Sequence, residues 1–319
     1  MDSSHSSSDS GDVAVRLKEE RRIVIGHRLD TSDPLSYTTF DESHPPLPVS
    51  QEDLTSVLVA NTPSERMVTL WLRGFDLRDN DLSALSAWND ISELIFANCN
   101  IQGLDLGQLD SILDIKTNIG LSLMIYGGLV GDRLTIPQIK IMQLLLVRNI
   151  AVDVLDLAAA GSQRFKILRC NHLAIKEVIL PENSRSGLKS IDLGHNQISD
   201  IDLGNAANWP INMLNLEDNE LRSIDLAPLN GNAEYTNDLK LSLADNKLES
   251  IDLSVLHGRK VAELNFRGNP LRELDVSHIT WGQIVEDFNV NPDVRIIGKP
   301  DWMLEHEMEE RMWEEENGE

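Results

Sequence analysis

The sequence predicts an elongated solenoid of the α/β type, dominated by short parallel strands and wound in about nine coils of 23–27 residues. Three observations predict it. An apolar phrase recurs through the middle of the chain as Leu188, Ile191, Leu193, Asn196, Ile198, Ile201 and Leu203. It returns as Ile211, Leu214, Leu216, Asn219, Leu221, Ile224 and Leu226, then as Leu241, Leu243, Asn246, Leu248, Ile251 and Leu253. In the same frame coils open at Met67, Ile91, Asn118, Met142, Phe165, Leu188, Ile211, Asp238 and Val261, in steps of 23, 24 or 27 residues. Within a coil, the alternation of Ile191 with Leu193, Leu214 with Leu216 and Leu264 with Phe266 is the period of a strand with one buried face. A unit this short cannot bury its own apolar side chains, so neighbouring coils must stack and share one core.

The elements follow in order. Residues 1–49 are polar, with serine runs and prolines around one short apolar patch at Ile23-Val24-Ile25, and read as a disordered leader. Residues 50–66 read as a helical cap, because Ser50 and Asp53 form a capping box and Leu54, Val57 and Leu58 repeat at helical spacing. The solenoid spans 67–276. Residues 277–300 close its far end through Trp281, Ile284, Val285, Phe288, Val294, Ile296 and Ile297, and 301–319 form an acidic helix and tail carrying Met303, Leu304, Met308, Met312 and Trp313. That helix is expected to dock on the last coil or to offer its apolar residues to a partner.

The recurring phrase resembles the leucine-rich repeat, L-x-x-L-x-L-x-x-N-x-L, over Met67 to Val276. A second phrase, seen in Leu104-Asp105-Leu106, Leu155-Asp156-Leu157, Ile201-Asp202-Leu203, Ile224-Asp225-Leu226, Ile251-Asp252-Leu253 and Leu274-Asp275-Val276, resembles the nested subclass. It is expected to run as a short extended segment on the convex side. The family's turn asparagine is present as Asn196, Asn219, Asn246 and Asn269, but Phe75, Cys99, Tyr126, Ile150 and Leu173 hold that place in the first five coils. Those early coils must satisfy their backbone groups in another way and are expected to be less regular. The resemblance implies a non-enzymatic scaffold or adaptor. Some intracellular relatives are regulatory subunits of phosphatases, and repeats of the nested kind also resemble those of secreted microbial effectors.

Composition narrows the partners. The formal net charge is −24, from 52 acidic and 28 basic residues, which argues against a nucleic-acid backbone or an anionic membrane as ligand. No segment has the roughly 20 apolar residues that span a bilayer. The only two cysteines, Cys99 and Cys170, sit three coils apart, beyond disulfide reach. A reducing compartment is expected, the cytoplasm first and the nucleus second, with the chain a monomer.

No glycine-rich phosphate loop, Cys-x-x-Cys pair, His-Glu-x-x-His motif or nucleophile elbow is present, so no catalytic residue, cofactor or metal ligand is assigned. His172 and His195 occupy equivalent places in adjacent coils and read as two surface histidines. Asp81, Asp105, Asp156, Asp202, Asp225, Asp252 and Asp275 share one outward position. Like charges so close repel, and each carboxylate is expected to accept backbone N–H bonds from the turn that follows, the alternative being a convex cation-binding stripe. The middle column of the concave sheet reads Trp71, Ile95, Ser122, Leu146, Arg169, Asp192, Asn215, Ser242 and Asn265. Its early half is apolar with arginines and its late half polar and acidic. The candidate partner-binding residues are Trp71, Ile95, Met124, Leu144, Leu146, Arg148, Ile167 and Arg169, an apolar patch ringed by arginine that fits a protein or peptide. Two other origins for such a patch stand beside this one: cover by the N-terminal leader, or a frame slip that makes these residues core.

Overall fold

A computed structural model of the chain describes residues 14–19, 22–26, 45–63, 68–88, 91–112, 120–182, 186–230, 238–282, 287–305 and 308. Each expected coil contributes one strand to a single parallel ladder: Val68–Arg73, Ile91–Ala97, Leu121–Tyr126, Met142–Arg148, Ile167–Arg169, Ser190–Asp192, Met213–Asn215, Leu239–Ser242 and Lys260–Asn265. The chain is a β-solenoid of about nine turns with little helix. Leu70, Leu94, Leu123, Leu145, Leu168, Ile191, Leu214, Leu241 and Leu264 pair in sequence down the ladder and point into one continuous core.

Register corrects the sequence frame in one coil. Met124, not Ser122, lies between Ile95 and Leu146, while Ser122 pairs with Glu93 and Leu144. The second coil's descending arm, which carries the short helix Gln108–Ile112, displaces the third coil's frame by two residues. An even displacement keeps every side chain on its face, so the inward set is unchanged.

The turn asparagines act as expected. Asn196 Nδ2 donates to the carbonyls of Cys170, Leu193 and Gly194, and its Oδ1 accepts from Leu173 N and Ile175 N. Asn219, Asn246 and Asn269 repeat the pattern one coil further each time. The early coils use backbone instead. Asn100 N donates to Phe75 O, Leu77 N to Asn100 O, Ile101 N to Leu129 O and Leu129 N to Cys99 O, stitching coil to coil beyond the strand ends. Their strands are longer for the same reason, six or seven residues against three or four in the Ile167 to Ser242 coils. The N-terminal half thus has the longer strands, but its register shifts between Val68 and Thr69 and between Leu121 and Ser122, against one shift between Leu239 and Lys240 in the later coils, as expected of the less regular half.

Convex segments follow the second phrase. Arg133–Thr135, Val154–Asp156 and Glu177–Ile179 form a three-stranded parallel sheet, and elsewhere the phrase leads into short 3-10 turns such as Gly204–Asn208 and Ser254–Leu256.

At the N-terminal end, helix Gln51–Ala60 starts at Ser50, whose Oγ accepts from Asp53 N at 3.0 Å. Leu54 and Leu58 are buried, and the Leu58 carbonyl accepts from Trp88 Nε1 of the first coil at 3.0 Å. The expected disordered leader is overturned at Arg22–Gly26, a strand paired parallel with Val68–Arg73, and at Ala14–Glu19, paired antiparallel with it. A first coil with a bare strand edge is a template for pairing, and the β-branched Ile23-Val24-Ile25 fills that edge with all three side chains buried. The remaining leader serines lie outside the described residues.

At the C-terminal end Asp287–Asn289 continues the ladder, Phe288 beside Leu264, and Arg295–Ile297 pairs with Glu273–Asp275. Met303 of the terminal helix is buried and Trp302 meets Trp281 edge-on at 5.5 Å, whereas Leu304 and Met308 are exposed. The helix thus docks by one face and leaves the other open. Ile284, Val285, Met312 and Trp313 lie outside the described residues.

Candidate functional site

The convex aspartates are structural at the level of hydrogen bonding. One carboxylate oxygen of Asp81, Asp105, Asp156, Asp202, Asp225, Asp252 and Asp275 accepts the N–H two residues ahead, at 2.7–3.1 Å in each of these seven coils. At Asp81, Asp252 and Asp275 the residue ahead is serine, and its hydroxyl, together with its N–H, holds the carboxyl below the usual range. Among the described residues no group of three His, Cys, Asp or Glu is placed to hold a metal ion.

His172 and His195 do lie side by side, with ring centroids 4.1 Å apart and planes within 7°. Parallel stacking sets their nitrogens alongside rather than converging on one point, and His195 Nδ1 instead meets Asp218 Oδ2 at 2.9 Å. Both cysteines are free and buried. Burial pushes the Cys99 thiol up to about 12 and raises that of Cys170 as well, so neither is poised as a nucleophile.

The concave surface divides as the sequence suggested, with one correction. Val24, Trp71, Ile95, Met124, Leu146, Arg169, Asp192, Asn215, Ser242 and Asn265 form one column of paired residues. Apart from the third coil the frame has not slipped, and these side chains stand on the face opposite the main core. Yet Trp71 and Ile95 are each only 3% exposed and Leu146 8%. The expectation that these three form open surface is therefore wrong. Val24, Trp71, Ile95 and Ala97 make a second apolar cluster of their own, with Met124 and Tyr126 packed against it and Trp71 stacked on Tyr126 at 6.4 Å.

The other candidates differ in access. Met124, Leu144 and Ile167 are half-buried, and Arg148 and Arg169 are exposed. Beyond Arg169 the column is a polar network. Asp192 accepts from Asn171 Nδ2 and Asn215 Nδ2, both at 3.0 Å, and Glu217 reaches Ser242. In the adjacent row Lys240, Glu263 and Asp287 pair in sequence. Sequence periodicity located this network only as a column of residue types; the asparagine-to-aspartate links need the register.

No family model matches the sequence, and no curated protein does. Among solved structures, the chain is similar to the functional domain of InlJ from Listeria monocytogenes, described as including a cysteine ladder, at 17% identity and a TM-score of 0.40. The match covers 73% of this chain and 48% of that one, so the chain spans about half the length of that neighbour. This chain has two cysteines in all.

Proposed function

We propose that the chain is a non-enzymatic protein-interaction module that binds a protein or peptide on its concave sheet. The observation that supports this reading is the continuous ladder of outward side chains whose character changes along its length. Half-buried Met124, Leu144 and Ile167 beside exposed Arg148 and Arg169 pass into the Asp192, Asn215 and Glu217 network. Apolar and guanidinium groups beside fixed carboxylates and carboxamides are the composition of a recognition surface. The fold by itself names no partner. The buried, non-ionising thiols suit a reducing compartment, so we place the protein in the cytoplasm, as a monomer.

Affinity capture from native lysate, comparing the wild type with Arg148→Glu/Arg169→Glu, tests this. Both substitutions lie at exposed positions, so the fold is retained. Loss of the same proteins from the variant supports the concave face. Equal capture by both removes this surface from consideration.

A further inference from the structure

Two guanidinium groups on the concave face stand without a counter-ion in a chain of net charge −24. Elsewhere Arg78, Arg133, Lys140, Lys176, Lys247 and Arg295 each hold a carboxylate at 2.6–3.4 Å. Arg148 and Arg169 are exposed, and among the described residues neither reaches one.

The cause at Arg169 is the state of its neighbour. Register sets Asp192 directly beside Arg169, but Asp192 Oδ1 accepts from Asn215 Nδ2 at 3.0 Å and from Gly194 N at 3.3 Å, and its Oδ2 accepts from Asn171 Nδ2 at 3.0 Å. Both oxygens are held by the sheet's own donors, and the guanidinium is left over. A fixed cation with nothing to neutralise it suits an incoming anion, which a guanidinium fork grips through paired N–H bonds.

Spacing and surroundings define that anion. Arg148 lies two residues beyond Leu146, which pairs with Arg169, so the two arginines are diagonal neighbours on one face with Cα atoms about 8 Å apart. Carboxylates on alternate residues of an extended segment stand about 7 Å apart. Half-buried Leu144 and Ile167 pair beside them, and Met124 pairs with Leu146, so an apolar seat adjoins the cations. In the later coils Glu217, Asp218 and Asp245 reverse the sign of the surface, and a long polyanion would be repelled there. The rest of the chain's charge is screened within about 8 Å at physiological salt, so the local pair decides.

We infer that the partner offers a short acidic segment: Asp or Glu on alternate residues of an extended stretch, taken by Arg148 and Arg169, next to an apolar side chain seated on Met124, Leu144 and Ile167. This partner chemistry rests on the concave-face reading.

The test is selection of displayed random peptides on the full chain, followed by affinity measurement of the enriched peptides on Arg148→Gln/Arg169→Gln and on Ile167→Ser, each first shown by circular dichroism and melting to be folded. Peptides with alternate acidic residues beside an apolar one are expected, weakened at least about tenfold by the arginine variant and also weakened by Ile167→Ser. Basic or uncharged peptides that depend on Ile167 would overturn the acidic partner and keep the concave face. Peptides of any kind indifferent to both variants, or no enrichment at all, would overturn both.

Discussion

Cys99 Sγ lies 3.1 Å from the Leu72 carbonyl, the same place in the repeat where Asn219 Nδ2 reaches the Leu193 carbonyl at 3.0 Å. The thiol thus takes over one of the asparagine's bonds, and the coil-to-coil backbone bonds around Asn100 take over the rest. A weak S–H donor suffices only because so little is left for it to satisfy.

The two positions should therefore differ in mutational cost. Asn219→Ala leaves the Ile198 N–H without its acceptor and takes one of two donors from each of the Leu193, Leu216 and Glu217 carbonyls, which keep Asn196 Nδ2, Asn246 Nδ2 and His195 N, and should cost about 3 kcal/mol. Cys99→Ala loses one weak bond and a small volume, and should cost about 1–2 kcal/mol. Denaturant unfolding of both variants measures the difference; equal losses would contradict the division of labour.

Both thiols should resist alkylation in the folded chain and react together on unfolding. The sign with pH follows. Folding raises the Cys99 pKa from an ordinary 9.0 to about 12, so above pH 9 the unfolded chain ionises its thiols while the folded chain does not. Their contribution is full below that pH and is lost as pH rises through it. Melting temperature should fall on that limb, and less steeply in Cys99→Ala.

The convex aspartates act in the opposite direction. The carboxyls of Asp81, Asp252 and Asp275 are lowered from 3.8, so their contribution is full above that pH and is lost as pH falls through and below it. Asp252→Asn/Asp275→Asn should flatten the acid limb of a melting-temperature profile. Since each carboxylate already accepts from its own turn, millimolar calcium should leave the melting temperature unchanged. A rise of several degrees would restore the cation-stripe reading.

How far the sequence could be read depended on what each residue can do. Asn196, Asn219, Asn246 and Asn269 were legible because they recur at one place in the phrase with a short carboxamide that can donate and accept there, and the aspartates because a short carboxylate before a turn has one obvious use. Met124 was misplaced by two positions because period two is blind to an even slip, and the short helix Gln108–Ile112 ahead of it carries no repeat signal. The strand Arg22–Gly26 was missed because three β-branched residues in a polar leader form no period. They become a strand only once Val68–Arg73 offers them an edge. Trp71 and Ile95 were put on the right face but wrongly left open, since periodicity gives orientation and says nothing about what lies above a face.

That distinction separates two kinds of variant on the concave side. Leu146→Glu puts a carboxylate into an 8% exposed site and should destabilise the fold by about 3 kcal/mol or more. Arg148→Glu and Arg169→Glu, at exposed positions, should stay within about 0.5 kcal/mol of wild type. Thermal melts read this directly. A Leu146→Glu protein that melts like wild type would mean that this residue belongs to the open surface after all.

The leader strand gives a prediction about association as well as stability. Val24 belongs to the concave cluster and Ile23 and Ile25 to the main core, so Arg22–Gly26 closes both faces of the sheet at once while pairing the edge of Val68–Arg73. Removing residues 1–26 uncovers a six-residue edge rich in apolar side chains, with Leu70, Trp71 and Leu72 at its centre. Such an edge pairs with whatever strand is available, including another copy of itself. The truncated chain should melt several degrees lower and form dimers or larger species whose amount grows with concentration, where the full chain does not. Light scattering across a concentration series checks this. A truncated chain that stays monomeric and melts like the full one would show that helix Gln51–Ala60 alone suffices to close the N-terminal end.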